Sequence, residues 1–144
     1  MLYINGLTVG DFPAFKDEQE LKMWFMKNRF GTLKGDIYSF CIETEETCAG
    51  FPDVMVTDKR TSETTFYEFK HSHDSNSVKF RPAQPAFYRK HDKMNIYIIA
   101  YNSRSGIVHM FTPEEMFDES SPYFMSENGT VNLLLAEKCS SFEE

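Results

Sequence analysis

Two short acidic motifs in the middle of the chain carry residue types that suit metal chemistry. Asp53 follows a proline near the start of one predicted strand, and Glu68 and Lys70 close the next strand after fourteen intervening residues. In neighbouring antiparallel strands the start of one lies beside the end of the other, and residues two apart share a face. The spacing therefore predicts two carboxylates and one ammonium group within reach of each other.

Such a trio suits phosphate chemistry with a divalent cation. Carboxylate oxygens are preferred ligands of Mg²⁺ and Mn²⁺, which keep several waters and bind phosphate through their remaining positions. A lysine beside such an ion can orient the attacking water or stabilise charge on phosphorus. The alternative interpretation of Glu68 and Lys70 is an exposed ion pair of small energetic value.

The hydrophobic pattern predicts the elements that must position these residues. In residues 16–29, Leu21, Trp24 and Phe25 have the i, i+3, i+4 spacing of an amphipathic helix. β-branched and aromatic runs predict strands, and two prolines fit only the first turn of a second helix. The predicted strands cover residues 36–43, 51–57, 64–70, 95–101 and 107–111, the second helix covers 81–93, a polar loop covers 71–79, and residues 131–136 are apolar without a clear type. This order predicts a mixed α/β fold.

Three motifs resemble the PD-(D/E)XK nuclease superfamily, and in particular its VRR-NUC branch, which includes phage and archaeal Holliday-junction-resolvase-like enzymes. The motifs are Gly50-Phe51-Pro52-Asp53-Val54-Met55-Val56, Phe66-Tyr67-Glu68-Phe69-Lys70 and Val78-Lys79-Phe80-Arg81-Pro82-Ala83-Gln84. The resemblance covers residues 16–101 and implies a restriction-endonuclease-like core, with a three-stranded meander plus further strands in a mixed β-sheet flanked by helices. We expect one such domain over residues 1–144, in which residues 102–144 form a C-terminal extension.

The resemblance also implies roles for individual residues. Asp53 and Glu68 are expected to bind the metal together with the Phe69 carbonyl, while Lys70 orients the water or stabilises charge. Gln84 is expected to contact the metal-bound water or the scissile phosphate, with capping of its own helix as the alternative. Independently of the resemblance, the basic stretch of the chain predicts further phosphate contacts from His71, His73, Lys79, Arg81 and Arg89.

An acid from the first helix completes such a site in the family, and Asp17, Glu18 and Glu20 compete for this role. Glu18 lies three residues before Leu21 and therefore on the buried face of the helix, and it matches the family's Glu-x-x-Leu pattern. Asp17 also points inward but is shorter, and Glu20 lies at the margin of that face. We therefore predict Glu18, with Glu20 next.

Charge is unevenly distributed along the chain. The net charge is −7, yet residues 59–93 carry eight Lys or Arg against four Asp or Glu, a local charge of +4. An acidic chain has no general attraction for nucleic acid, whose binding scales with the phosphates that are neutralised. The basic stretch is therefore where we expect phosphate contacts, although a solvated basic face is the alternative.

Together these features predict a Mg²⁺- or Mn²⁺-dependent endonuclease that hydrolyses phosphodiester bonds, with DNA as the preferred substrate. If the resemblance extends to resolvases, the substrate is a branched or flap structure and the active unit is a homodimer. Two alternatives stay open: an RNA endonuclease, and a catalytically retired nuclease fold that acts as a binding or inhibitory protein. The acidic C-terminal segment favours the second alternative.

The remaining sequence features concern the compartment. No apolar run approaches the roughly 18 residues that span a bilayer, and the first residues lack a signal-peptide pattern. The three cysteines contain no C-x-x-C pair, which argues against a disulfide scaffold or a cysteine zinc site. We expect a cytoplasmic protein without a membrane partner, in the host cytoplasm if it is phage-encoded.

Overall fold

The computed structural model describes residues 2–4, 7–9, 14–31, 35–41 and 49–139, which form an α/β arrangement. The strands are β1 (Leu2–Ile4), β2 (Leu7–Val9), β3 (Ile37–Cys41), β4 (Val54–Asp58), β5 (Thr64–His71), β6 (Ser77–Lys79), β7 (Ile96–Asn102), β8 (Ile107–Phe111) and β9 (Thr130–Asn132), and the helices are α1 (Glu18–Phe30), α2 (Ala83–Lys90), α3 (Pro113–Phe117) and α4 (Leu133–Cys139). No helix in these ranges is long and apolar enough to cross a membrane.

The central sheet contains five strands in the order β3-β4-β5-β7-β8. The first three form an antiparallel meander, β7 runs parallel to β5, and β8 closes the sheet antiparallel to β7. The chain crosses from β5 to β7 through β6 and α2, because parallel neighbours need a long connection. The predicted fold class is confirmed: a mixed sheet with a three-stranded meander and further strands, flanked by helices.

Helices cover both faces of the sheet. α1 packs Leu21 and Phe25 on one face, where the Phe25 ring lies 5.6 Å from the ring of Phe69 in β5. The other three helices cover the opposite face around Tyr88 and Ile98. β5 and β7 are therefore buried on both sides, where charged side chains are rare. A glutamate and a lysine in the middle of this interior call for a functional explanation.

The structure differs from the predicted elements in four places. The predicted polar loop 71–79 contains β6, which pairs antiparallel with β9, a pairing that three residues of sequence pattern do not reveal. α2 ends at Lys90 rather than at residue 93, and the apolar segment 131–136 divides between β9 and α4. The N-terminal hairpin of β1 and β2 was not predicted. Residues 42–48 lie outside the described residues, and they include the last two positions of the predicted strand 36–43.

The segment before β4 approaches α2 closely at Gly50. Gly50 has φ +88°, and a Cβ atom at this position would lie 2.2 Å from the carbonyl oxygen of Ala83 and 2.9 Å from Cβ of Phe87. Only glycine tolerates both the backbone conformation and the missing space. This contact fixes the segment that leads to Asp53 against the helix that carries Gln84.

We expect Gly50→Ala to lower the free energy of unfolding by about 3 kcal/mol or more, because the added methyl group overlaps backbone atoms at a strained φ. Urea denaturation measures this loss. Gly106→Ala is the matched control, since Gly106 has φ +75° but open space around its Cβ position among the described residues. We expect Gly106→Ala to lower the free energy of unfolding by about 1 kcal/mol. Equal losses in the two variants would contradict the close approach.

Candidate active site

Asp53 and Glu68 meet at the end of the sheet where β4 begins and β5 ends. Val54 pairs with Tyr67 across the two strands, so the preceding and following residues, Asp53 and Glu68, lie opposite each other. The Oδ2 atom of Asp53 accepts a hydrogen bond from the backbone N–H of Phe69 at 3.1 Å, which fixes the carboxylate beside β5. The structure thus brings together the two acidic motifs that the sequence pattern places side by side.

Glu68 is a buried carboxylate with one oxygen unused. The residue is 4% exposed, its Oε2 accepts a hydrogen bond from Nε2 of Gln84 at 3.0 Å, and its Oε1 has no hydrogen-bond partner. Burial is the main cause that raises the pKa of Glu68 to about 8, and the charge of Asp53 is the second. Burial also raises the pKa of Asp53, against the effect of the Phe69 N–H. Two neighbouring carboxyls whose ionisation is opposed by burial form a site that a cation would stabilise.

Lys70 shares the face of β5 with Glu68 and is also buried. Its Nζ donates a hydrogen bond to Oε1 of Gln84 at 2.8 Å, lies 3.8 Å from Oε2 of Glu68, and lies 4.9 Å from the centre of the Phe80 ring. Burial lowers the pKa of Lys70, whereas the carboxylate of Glu68 raises it. The ammonium group is therefore held rigidly beside the glutamate.

Gln84, at the start of α2, connects these two groups. The side chain is 1% exposed. Its Oε1 accepts hydrogen bonds from Nζ of Lys70 and from the backbone N–H of Arg81 at 2.9 Å, while its Nε2 donates to Glu68. The bond to Arg81 resembles the cap that the sequence left as an alternative. These bonds give Gln84 a positioning role, and its contact with substrate stays a prediction.

A cavity of about 410 Å³ opens between the first turn of α1 and Asp53, a size within the range of ligand pockets. The Phe69 side chain packs in the core, so its backbone faces this cavity. Since the N–H and C=O of one strand residue point to the same side, the Phe69 carbonyl lies on the Asp53 side of β5. The residues that line the cavity are Asp17, Glu18, Gln19, Lys22, Asp53, Phe69 and His73.

The structure separates the three acids of the first helix. Glu18 lines the cavity together with Asp53, and its charge acts on the pKa values of both members of the buried Glu–Lys pair. Asp17 is the N-cap and accepts the N–H of Glu20 at 3.0 Å. Glu20 in turn accepts the backbone N–H of residue 16 at 2.9 Å. Glu18 is therefore the acid of this helix that faces the site without a capping role.

The predicted phosphate contacts divide into two groups. His73 lines the cavity, with its Nε2 4.0 Å from Oε1 of Glu18, and Arg81 is exposed close enough for its charge to act on Asp53. Lys79 and Arg89 line a different groove, between α2 and residues 116–129. The basic stretch is therefore not one continuous surface, because α2 carries part of it away from the cavity.

His71 is part of the scaffold. The residue is 7% exposed, and its Nδ1 accepts the backbone N–H of His73 at 2.9 Å. The proton must then reside on Nε2, which donates to the carbonyl oxygen of Phe15 at 2.6 Å. Both ring nitrogens are engaged inside the protein, which leaves none for a phosphate and removes His71 from the set of contacts expected from the sequence.

Two residues near the site were missed at the sequence level. Lys22 lines the cavity four residues after Glu18, and the hydroxyl of Tyr88, four residues after Gln84, is buried without a hydrogen-bond partner. Residues four apart share a face of a helix, so helical spacing from each predicted site residue could have identified both.

The donor set is small and rich in oxygen. In the part of the chain that the structure describes, no three His, Cys, Asp or Glu side chains converge into a ready metal site. The candidate ligands are two carboxylates, from Asp53 and Glu68, and the Phe69 carbonyl, with Glu18 lining the same cavity. Such a set fits Mg²⁺ or Mn²⁺, which bind few protein groups and keep waters. The unpaired Oε1 of Glu68 is the observation that supports this fit.

A scan against protein-family models gives no match, and neither does a search of curated proteins. Among solved structures, a nuclease from a fusselovirus is similar over 69% of this chain and 64% of its own length, with 9% sequence identity and a TM-score of 0.42. The similarity thus spans less than two thirds of that nuclease.

Proposed function

We propose that the protein is a Mg²⁺- or Mn²⁺-dependent PD-(D/E)XK endonuclease of the VRR-NUC type, with Asp53, Glu68 and the Phe69 carbonyl as metal ligands. The main support is the buried Glu68, whose Oε1 has no partner and whose second oxygen is fixed by Gln84. An unsatisfied buried carboxylate oxygen costs about 1–3 kcal/mol. Folding does not require this arrangement, whereas cation binding does.

The residues of the site divide the work of phosphodiester hydrolysis. A bound Mg²⁺ or Mn²⁺ supplies a Lewis acid that lowers the pKa of water and stabilises charge on phosphate oxygens. Asp53 and Glu68 would hold the metal ion at the end of the sheet. Gln84 keeps the Glu68 carboxylate and the Lys70 ammonium in fixed orientation. Lys70 adds positive charge, which stabilises the transition state more than the ground state because negative charge develops on the reacting phosphate, and a fixed ammonium meets it without reorganisation.

The substrate in this proposal is a nucleic acid, with DNA preferred and branched or flap structures as the leading candidates for a homodimeric enzyme. The same site can cleave RNA. The retired-nuclease alternative is supported by the net charge of −7, since an acidic surface suits protein partners better than DNA. The half-buried Asp53 and the buried Glu68 and Lys70 favour the active enzyme, because a retired site has no need for them.

A cleavage panel tests the proposed function. The purified protein is incubated with single-stranded, duplex, flap and four-way-junction DNA and with RNA, in Mg²⁺, in Mn²⁺ or in EDTA. We expect cleavage of at least one DNA substrate with either metal ion and none in EDTA. Cleavage that persists in EDTA, or no cleavage of any substrate under all conditions, would contradict the proposal and the latter would favour the retired fold.

A further inference from the structure

Lys22 of α1 places an ammonium group at the cavity that Asp53 lines. The residue is half-buried, lies one helical turn after Glu18, and lines the same cavity as both acids. It forms no ion pair with any carboxylate of the described residues. A lysine among three cavity carboxylates that pairs with none of them has its donors available for another ligand.

The donors of Lys70 are not available to a ligand in this cavity. It does not line the cavity, its exposed fraction is 9%, and its Nζ is directed to Gln84, Glu68 and the Phe80 ring. An anion that enters the cavity beside Asp53 therefore meets Lys22 first. The two lysines lie on opposite faces of the sheet: Lys22 belongs to α1, and Lys70 belongs to β5 and points to the face that α2 covers.

We propose that Lys22 binds a non-bridging phosphate oxygen of the nucleic-acid strand that occupies the cavity beside Asp53. This inference rests on the proposed nuclease function and adds a substrate-binding residue to it. The cavity carries the carboxylates of Asp17, Glu18 and Asp53, which repel a phosphate. Lys22 offsets this repulsion and donates a charge-assisted hydrogen bond.

Removal of this charge should have opposite effects on the two ligands of the site. The Lys22 ammonium and the Asp53 carboxylate line the same cavity, so the ammonium repels a cation that this carboxylate holds. Without it, the metal ion should bind more tightly and the phosphate more weakly. If Lys22 had a purely structural role, its replacement would weaken the binding of both the metal ion and the phosphate. Opposite changes in the two affinities therefore identify the proposed contact.

The test compares Lys22→Met with Lys27→Met, which removes the same charge from an exposed position of the same helix. Binding of flap and single-stranded DNA is measured in Ca²⁺ over a range of salt concentrations, and Mn²⁺ binding is measured by calorimetry. For Lys22→Met we expect about 10-fold weaker DNA binding, a salt slope reduced by about one, and Mn²⁺ binding about threefold tighter. Lys22→Arg should restore DNA binding, and Lys27→Met should resemble the wild type.

The outcomes separate this inference from the proposed function. If the wild type binds Mn²⁺ and DNA but Lys22→Met behaves like Lys27→Met, or loses affinity for both ligands, the role of Lys22 is refuted and the nuclease proposal stands. If the wild type binds neither Mn²⁺ nor DNA, both fail.

Discussion

Glu68→Gln should abolish cleavage while leaving the fold intact. The pKa of Glu68 is raised to about 8, so at neutral pH the carboxyl is largely protonated in the absence of a cation, and glutamine is a close mimic of that state. The variant keeps an oxygen for the hydrogen bond from Gln84. It loses the negative charge that a metal ion needs. We expect the cleavage rate to fall by about 10³-fold or more, from loss of several kcal/mol of metal stabilisation, with a melting temperature close to that of the wild type.

Asp53→Asn provides an independent version of the same experiment. Asparagine can still accept the N–H of Phe69, so the turn into β4 keeps its hydrogen bond. We expect the same loss of cleavage. Glu63→Gln is the matched control, because Glu63 is exposed in the turn before β5 and distant from the site. If either site variant cleaves at the rate of the control, the assignment of the metal ligands is wrong.

Lys70→Met should reduce cleavage by about 10²-fold or more, because it removes a fixed positive charge from the transition state. Methionine is similar in length and tolerates the buried position, where Nζ lies over the Phe80 ring. Both carboxylates remain, so DNA affinity measured in Ca²⁺ should change far less than the rate. Single-turnover kinetics measures the cleavage rate, and fluorescence anisotropy measures the DNA affinity.

Lys90→Met, at an exposed position of α2, is the control for Lys70→Met and should leave both the cleavage rate and the DNA affinity unchanged. A Lys70→Met protein that cleaves at the wild-type rate would show that the lysine is a structural partner of Glu68 and Gln84. A parallel loss of DNA affinity and rate would assign Lys70 to substrate binding instead.

The sequence is sufficient for the parts of the site that lie on regular elements. The alternation of residues along β5 places Glu68 and Lys70 on one face, and the spacing of the antiparallel strands brings Asp53 to them. Helical spacing likewise favours Glu18 over its neighbours, and in the structure Glu18 lines the cavity while Asp17 and Glu20 are used at the helix start. These inferences depend only on local geometry.

Other features depend on tertiary contacts that no local pattern records. His71 is expected to contact phosphate as part of the basic stretch, but the carbonyl oxygen of Phe15 and the backbone N–H of His73 use both of its ring nitrogens. Arg89 belongs to the same basic stretch as Arg81, yet α2 directs it towards Phe117. The short strand β6 exists only because β9 pairs with it.

The metal site is the central claim, and calorimetric titration with Mn²⁺ at two pH values tests it most directly. A cation must displace the proton of Glu68, whose pKa is about 8, so affinity should rise as pH rises towards that value. Between pH 6.5 and pH 8.0 we expect affinity to increase by about tenfold, with close to one proton released per bound ion at the lower pH. Glu68→Gln should lose both the affinity and the proton release. No heat of binding at millimolar Mn²⁺, or the same titration curve for Glu68→Gln as for the wild type, would contradict the account.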